Sequence, residues 1–153
     1  MNYDVVVNRV AARPLAVVRR RVAIRDIPSH VVPSLDQVYA VAKRAGLVLD
    51  GQNVIVYRNA ADGFIDAEFG VGVARRFVEI EGVEYSEAPA GEVAIATHYG
   101  DYSKLRGAYD ALAQWCKSHG RPMAPVQWEI YGHWTDDPAQ LRTDVCYLLG
   151  PEG

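Results

Sequence analysis

The run Gln127-Trp128-Glu129-Ile130-Tyr131 sets a carboxylate two positions from a phenol. In an extended strand, side chains alternate between faces. Gln127, Glu129 and Tyr131 then share one face, and Trp128 and Ile130 share the other. A carboxylate in such an element is either solvated or paired, because burying a lone charge is expensive. If it faces a cavity, it becomes a recognition group for cations, or a general base on water. Tyr131 can fix that carboxylate by hydrogen bonding, or donate to a ligand carbonyl. The residues alone leave both readings of Glu129 open.

Other chemistries find less support. His30, His98, His119 and His133 show no metal-ligand spacing with Cys116 and Cys146, so no metal site is expected. The chain has no phosphate-binding glycine loop and no Gly-x-Ser-x-Gly elbow. No cofactor is therefore expected. The net charge of −3 argues against non-specific attraction to nucleic acid, and no helix-turn-helix pattern is read here. Arg19-Arg20-Arg21 and Arg75-Arg76 are short basic runs that a strand would split between its faces. No apolar run reaches membrane-spanning length. Two cysteines in a chain able to build its own core point to reduced thiols and a cytoplasmic location. At 153 residues, with half of them hydrophobic, the chain is read as a single domain.

The elements that must position these residues follow from periodicity. Strands are predicted at 3–10, 15–24, 52–59, 64–74, 92–98, 126–132 and 142–149, with 76–86 a strand or an extended connection. A helix is predicted from about His30 to Arg44, stopped by Gly46. A second begins at Asp101 as N-cap, carries Tyr102, Leu105, Tyr109, Leu112 and Cys116 as its apolar stripe, and ends at Gly120.

These elements repeat. Gly46 and Gly120 lie 74 residues apart, and so do Tyr57 and Tyr131. Leu35 and Val38 fall opposite Tyr109 and Leu112. The position 74 residues before Glu129 is Ile55, so the acidic group has no counterpart. Counting from Asp66 and Asp144, Phe69 aligns with Tyr147. The order reads as a duplicated β-α-β-β unit, with repeat 1 at about 1–74 and repeat 2 at about 75–150. Such an α+β duplication can form an antiparallel sheet with both helices on one face, related by a pseudo-twofold axis. The other face is then expected to curve into a central ligand cleft, approached by Tyr57 and Tyr131. Trp128 and Ile130 are expected to pack under the helices.

At this point the ordered motifs resemble a known family. Ala96-Thr97-His98-Tyr99-Gly100-Asp101-Tyr102-Ser103-Lys104-Leu105 is similar to the H-x-G-x-Y-x-x-L start of the second helix in GyrI-like small-molecule-binding domains. Trp128-Glu129-Ile130-Tyr131 followed by Asp137-Pro138 resembles the family's E-x-Y…D-P strand and turn. Gly51-Gln52-Asn53-Val54-Ile55-Val56-Tyr57 resembles its first-repeat strand, with Gln52 where proline is usual. The loop Gly132-His133-Trp134 is more aromatic than the pattern.

The resemblance implies a central pocket with an acidic residue, here Glu129, among aromatic side chains. Tyr57, Tyr131, Phe69, Tyr147, Trp134 and Tyr99 are the candidate walls. Each has a plainer alternative as core, sheet-edge or strand-end packing, and His98 is read as orienting the Gly100 turn. Family members often serve as effector-binding halves of AraC- or MerR-class regulators. Some standalone members resemble hydrolases of cyclopropane-bearing genotoxins.

The expected function is binding of apolar, aromatic, often cationic small molecules, for sequestration or for report to a separate regulator protein. The alternative is a ring-opening hydrolase with Glu129 and Tyr131 as catalytic groups. A third is a protein-interaction module of gyrase-inhibitor type. The oligomeric state is not encoded.

Overall fold

The computed structural model describes residues 3–133 and 135–150. The described residues form eight strands and two α-helices. They are β1 (Val5–Val10), β2 (Arg13–Ala23), α1 (Ile27–Ala45), β3 (Leu49–Ala61), β4 (Phe64–Val73), β5 (Glu84–Ala88), β6 (Gly91–Tyr99), α2 (Arg106–Ser118), β7 (Met123–Tyr131) and β8 (Arg142–Leu149). All the strand pairs described are antiparallel. The α+β class and the duplicated β-α-β-β unit are as the sequence suggests.

The chain condenses into two compact units. One is Ala12–Ala88, and the other joins Met1–Ala11 to Pro89–Gly153. In the first, β2-α1-β3-β4 gains β5 beside β2. In the second, β6-α2-β7-β8 gains β1 beside β6. The two units thus have the same internal plan. Their boundaries do not follow a cut near residue 74, because β1 and β5 each leave the half of the sequence they begin. Periodicity shows each as a strand but says nothing of which neighbour it pairs with.

Each helix lies on one face of the strands of its own unit. Arg20 of β2 donates to Ser34 Oγ (3.1 Å) and Gln37 Oε1 (3.2 Å) of α1, which marks the α1 face. The register puts Val18, Phe69, Ala67, Ile55 and Tyr57 on that same face. In the other unit, Ala94, Ala96, Val145 and Tyr147 form a core with Ala108, Leu112 and Cys116 of α2. The opposite faces are buried too: Leu15, Val17, Val54, Val56, Trp128 and Cys146 are each 3% exposed or less. Strands covered on both sides read as continuous apolar runs, which blurs the alternation that would tell the faces apart.

Local chemistry explains the ends of the helices. Pro28 sits in the first turn of α1, where its missing N–H costs nothing, so the helix begins three residues earlier than predicted. Gly46 caps it in the left-handed region at φ 74°. Asp101 accepts from Ser103 N (2.8 Å), but the cap serves a 3-10 turn over Tyr102–Lys104 that leads into α2. Tyr102 therefore lies outside the α-helix proper.

Candidate ligand site

Glu129 is 5% exposed, two residues before the end of β7. It pairs across the ladder with Val145, which in turn faces Ala96. Both are members of the α2 core, so Glu129 lies on the helix face. This overturns the expectation that Trp128 and Ile130 pack under the helix. The register places Trp128 opposite Cys146, on the face away from α2. The physical reason is the helix's own chemistry: α2 offers a phenol, and only the carboxylate can use it.

That phenol is Tyr109. Its hydroxyl donates to Glu129 Oε2, while Tyr131 OH donates to Oε1. Both oxygens of the buried carboxylate are thereby satisfied, and hydrogen bonds to an ionised group are worth about 1.5–3 kcal/mol each. Two further rings surround the pair. Tyr102 stands edge-on to Tyr131, with centroids 5.3 Å apart and planes at 85°. Tyr147 lies 5.8 Å from Tyr109 at 49°. Burial, with the negative charges of Cys116, Asp110 and Glu129 behind it, pushes the Tyr147 phenol up to about 12. Burial also raises Tyr102.

The other candidates lie elsewhere. Tyr57 (5% exposed) and Phe69 (fully buried) belong to the other unit, on the α1 face of its sheet. The register corrects one repeat pairing. Tyr57 is opposite Ala67 and Tyr131 opposite Thr143, so the equivalent of Tyr147 is Val71, and that of Phe69 is Val145. The β7–β8 connection is the longer one, which displaces Asp144 by two positions and leaves the faces unchanged. Tyr99, 57% exposed, follows His98 and so projects from the face opposite Glu129. It borders a cavity of about 440 Å³ with Tyr3, His98, Lys104 and Gly107. Trp134 lies outside the described residues.

Two buried polar groups sit beside Glu129 on its face. His98 (2% exposed) accepts from Tyr3 OH at Nδ1 (2.8 Å). Its Nε2 donates to Asp101 O (3.0 Å) across the Gly100 turn, since a carbonyl can only accept. Thr143 faces His98 on one side and Tyr131 on the other. It is fully buried, and its Oγ1 has no hydrogen-bond partner among the described residues. An orphan hydroxyl of this kind costs about 1–3 kcal/mol.

A second buried carboxylate has a different environment. Glu68 of β4, on the face away from α1, is paired with Arg19 (3.1 Å) and Arg58 (3.5 Å) and accepts from Ser86 Oγ (2.6 Å). The arginine run is split as alternation requires, with Arg19 and Arg21 meeting Glu68 and Asp66 while Arg20 turns to α1. No group of three or more metal-ligating side chains occurs among the described residues. No helix among them is long and apolar enough to cross a membrane.

Tyr109 is the site residue that sequence reasoning missed. It was absorbed into the apolar stripe of the second helix. The available signal was the repeat: Leu35 and Ile55 stand where Tyr109 and Glu129 stand, so two apolar positions become polar together.

A family model described as GyrI-like small molecule binding domain matches residues 3–149. The fold resembles the EcmrR C-terminal domain, with TM-score 0.83 and 21% identity over 98% of this chain and 99% of that one. In the EcmrR–DNA complex, the chain spans 57% of the EcmrR chain. It also resembles SAV2435 bound to tetraphenylphosphonium (TM-score 0.70, 11% identity, 98% and 94% covered). A hydrolase from Listeria innocua is a further structural relative (TM-score 0.64, 12% identity, 95% and 91% covered). No curated protein matches the chain in sequence.

Proposed function

This chain belongs to the GyrI-like family of small-molecule-binding domains, and from that premise we propose that it binds apolar, aromatic cations against Glu129. The observation that carries the reading is the carboxylate on the helix face of β7, held through both oxygens by Tyr109 and Tyr131. Phenols that donate to a carboxylate favour its charged form. They also present ring faces, and a cation over an aromatic face gains about 0.5–2 kcal/mol. A delocalised or quaternary cation needs no hydrogen-bond slot on the carboxylate, so it can dock without displacing either phenol. Tyr102 and Tyr147 extend the aromatic surface on either side. The domain would sequester such compounds or report them to a separate regulator.

Charge is the variable to test. Tetraphenylphosphonium and tetraphenylborate have nearly the same shape and opposite charge. The cation is expected to bind by isothermal titration and the anion not to. Equal affinities would remove the role assigned to the carboxylate.

The same clamp favours one second reading, a hydrolase of strained electrophilic rings. Glu129 would take a proton from water as its oxygen bonds to a ring carbon and the strained C–C bond breaks, and Tyr131, turning its hydroxyl from Glu129, would donate to the oxygen that gains charge. Incubation with a cyclopropane-bearing genotoxin, followed by mass spectrometry, tests it. Ring opening no faster than in Glu129→Ala eliminates this reading.

A further inference from the structure

We infer that Thr143 is a specificity-determining residue of the Glu129 site, donating its hydroxyl hydrogen to an oxygen acceptor carried by the ligand. This rests on the proposed function and adds to it a second, neutral recognition element. Thr143 is fully buried, and its Oγ1 finds no partner among the described residues. Buried polar atoms in native structures almost always have partners, and an exception calls for a water, an ion or a ligand.

The position of the hydroxyl narrows the choice. Thr143 stands directly opposite Tyr131 on β7 and His98 on β6, on the face that carries Glu129. Directly paired side chains in a ladder lie about 4.5–5.5 Å apart at Cβ, and diagonal ones remain within reach of long groups. Both ring nitrogens of His98 are already engaged, by Tyr3 OH and by Asp101 O. The Tyr131 hydroxyl spends its hydrogen on Glu129. The unmet bond of Thr143 is therefore next to the clamp. A threonine is also not required for packing: valine has nearly the same shape and a higher affinity for such a site. The arrangement suits an aromatic cation bearing a carbonyl or ether oxygen, its positive centre at Glu129 and its oxygen at Thr143.

Two probes separate the roles, tetraphenylphosphonium and its para-acetyl derivative, which adds one ketone acceptor. Affinities are measured by isothermal titration for the wild type, Thr143→Val, Thr143→Ser and Glu129→Gln. One hydrogen bond corresponds to roughly a fivefold to tenfold change in affinity. The wild type and Thr143→Ser should prefer the acetyl probe by that factor. Thr143→Val should lose the preference while keeping its affinity for the parent cation and melting no lower than the wild type. Glu129→Gln should weaken both probes. If Thr143→Val retains the preference, or weakens both probes equally, the assignment of Thr143 is overturned while the reading of Glu129 stands. If neither probe binds the wild type, both fall.

Discussion

Tyr109 of α2 donates its phenolic hydrogen to Oε2 of Glu129 on β7, and Tyr131 closes the other oxygen from the same strand. One hydrogen bond crosses from helix to sheet, and the other runs along one face of the strand. A carboxylate that is 5% exposed thus keeps a fixed orientation without leaving the core. Tyr109→Phe or Tyr131→Phe removes one donor and leaves one charged oxygen short of a partner. Each is expected to cost about 1–3 kcal/mol, read as a lower melting temperature by circular dichroism. A variant that melts with the wild type would mean that its bond adds nothing to stability.

The first repeat suggests a sharper experiment. There, Leu35 and Ile55 occupy the positions of Tyr109 and Glu129, and both are buried. Glu129→Ile alone strands the Tyr109 hydroxyl, and Tyr109→Leu alone strands a carboxylate oxygen. The double change replaces both partners of the helix-to-sheet bond by apolar groups, so only the loss of the Tyr131 bond to Glu129 remains to be offset. The double variant is expected to be more stable than the summed singles predict, by about 1–3 kcal/mol of coupling in chemical unfolding, and to bind no cation. Simple additivity would show that the two side chains do not act as a pair.

Tyr147 gives an alkaline signature. Its phenol is held near 12 in the folded protein against an ordinary value of 10.0. Between these values the unfolded chain has lost the proton that the folded one keeps, so stability falls as pH rises. It is fully present below about 10 and lost on passing 12. Denaturation curves across this window should flatten in Tyr147→Phe relative to the wild type. An unchanged slope would mean that other groups set the alkaline limit.

Asp101 governs the acid side of the α2 start. Its backbone bond from Ser103 holds the carboxyl below its usual value of 3.8. A depressed carboxyl stabilises the fold above its unfolded value, and that contribution disappears as pH falls through the lower, folded one. Asp101→Asn keeps a capping oxygen but cannot titrate. It is expected to make the acid limb of the melting-temperature profile shallower below the ordinary carboxyl value of 3.8, with the steeper limb retained in the wild type.

The sequence made the repeat and the strand of Glu129 visible, because glycine stops, tyrosines and alternation are local signals. The predicted end of β8 at Leu149 and the predicted start of β4 at Phe64 coincide with the observed ones. Pairing was not legible in the same way. That β1 joins β6 and β5 joins β2 depends on contacts between distant segments. The side on which α2 lies was misjudged for a related reason: Trp128 and Glu129 are both buried, on opposite faces, and hydrophobicity alone sends the helix to the tryptophan. The deciding residue was Tyr109, whose ring satisfied the apolar stripe while its hydroxyl matched the carboxylate. Thr143 gave no signal at all, since an orphan hydroxyl can be recognised only once its neighbours are in place.

The account stands most directly on the charge of Glu129. Titration of tetraphenylphosphonium against the wild type and Glu129→Gln isolates it, because glutamine keeps the shape and removes the charge. Loss of a desolvated charge partner is expected to weaken binding by about 2–5 kcal/mol, with the cation still bound by the wild type. Equal affinity for the two proteins would contradict the account.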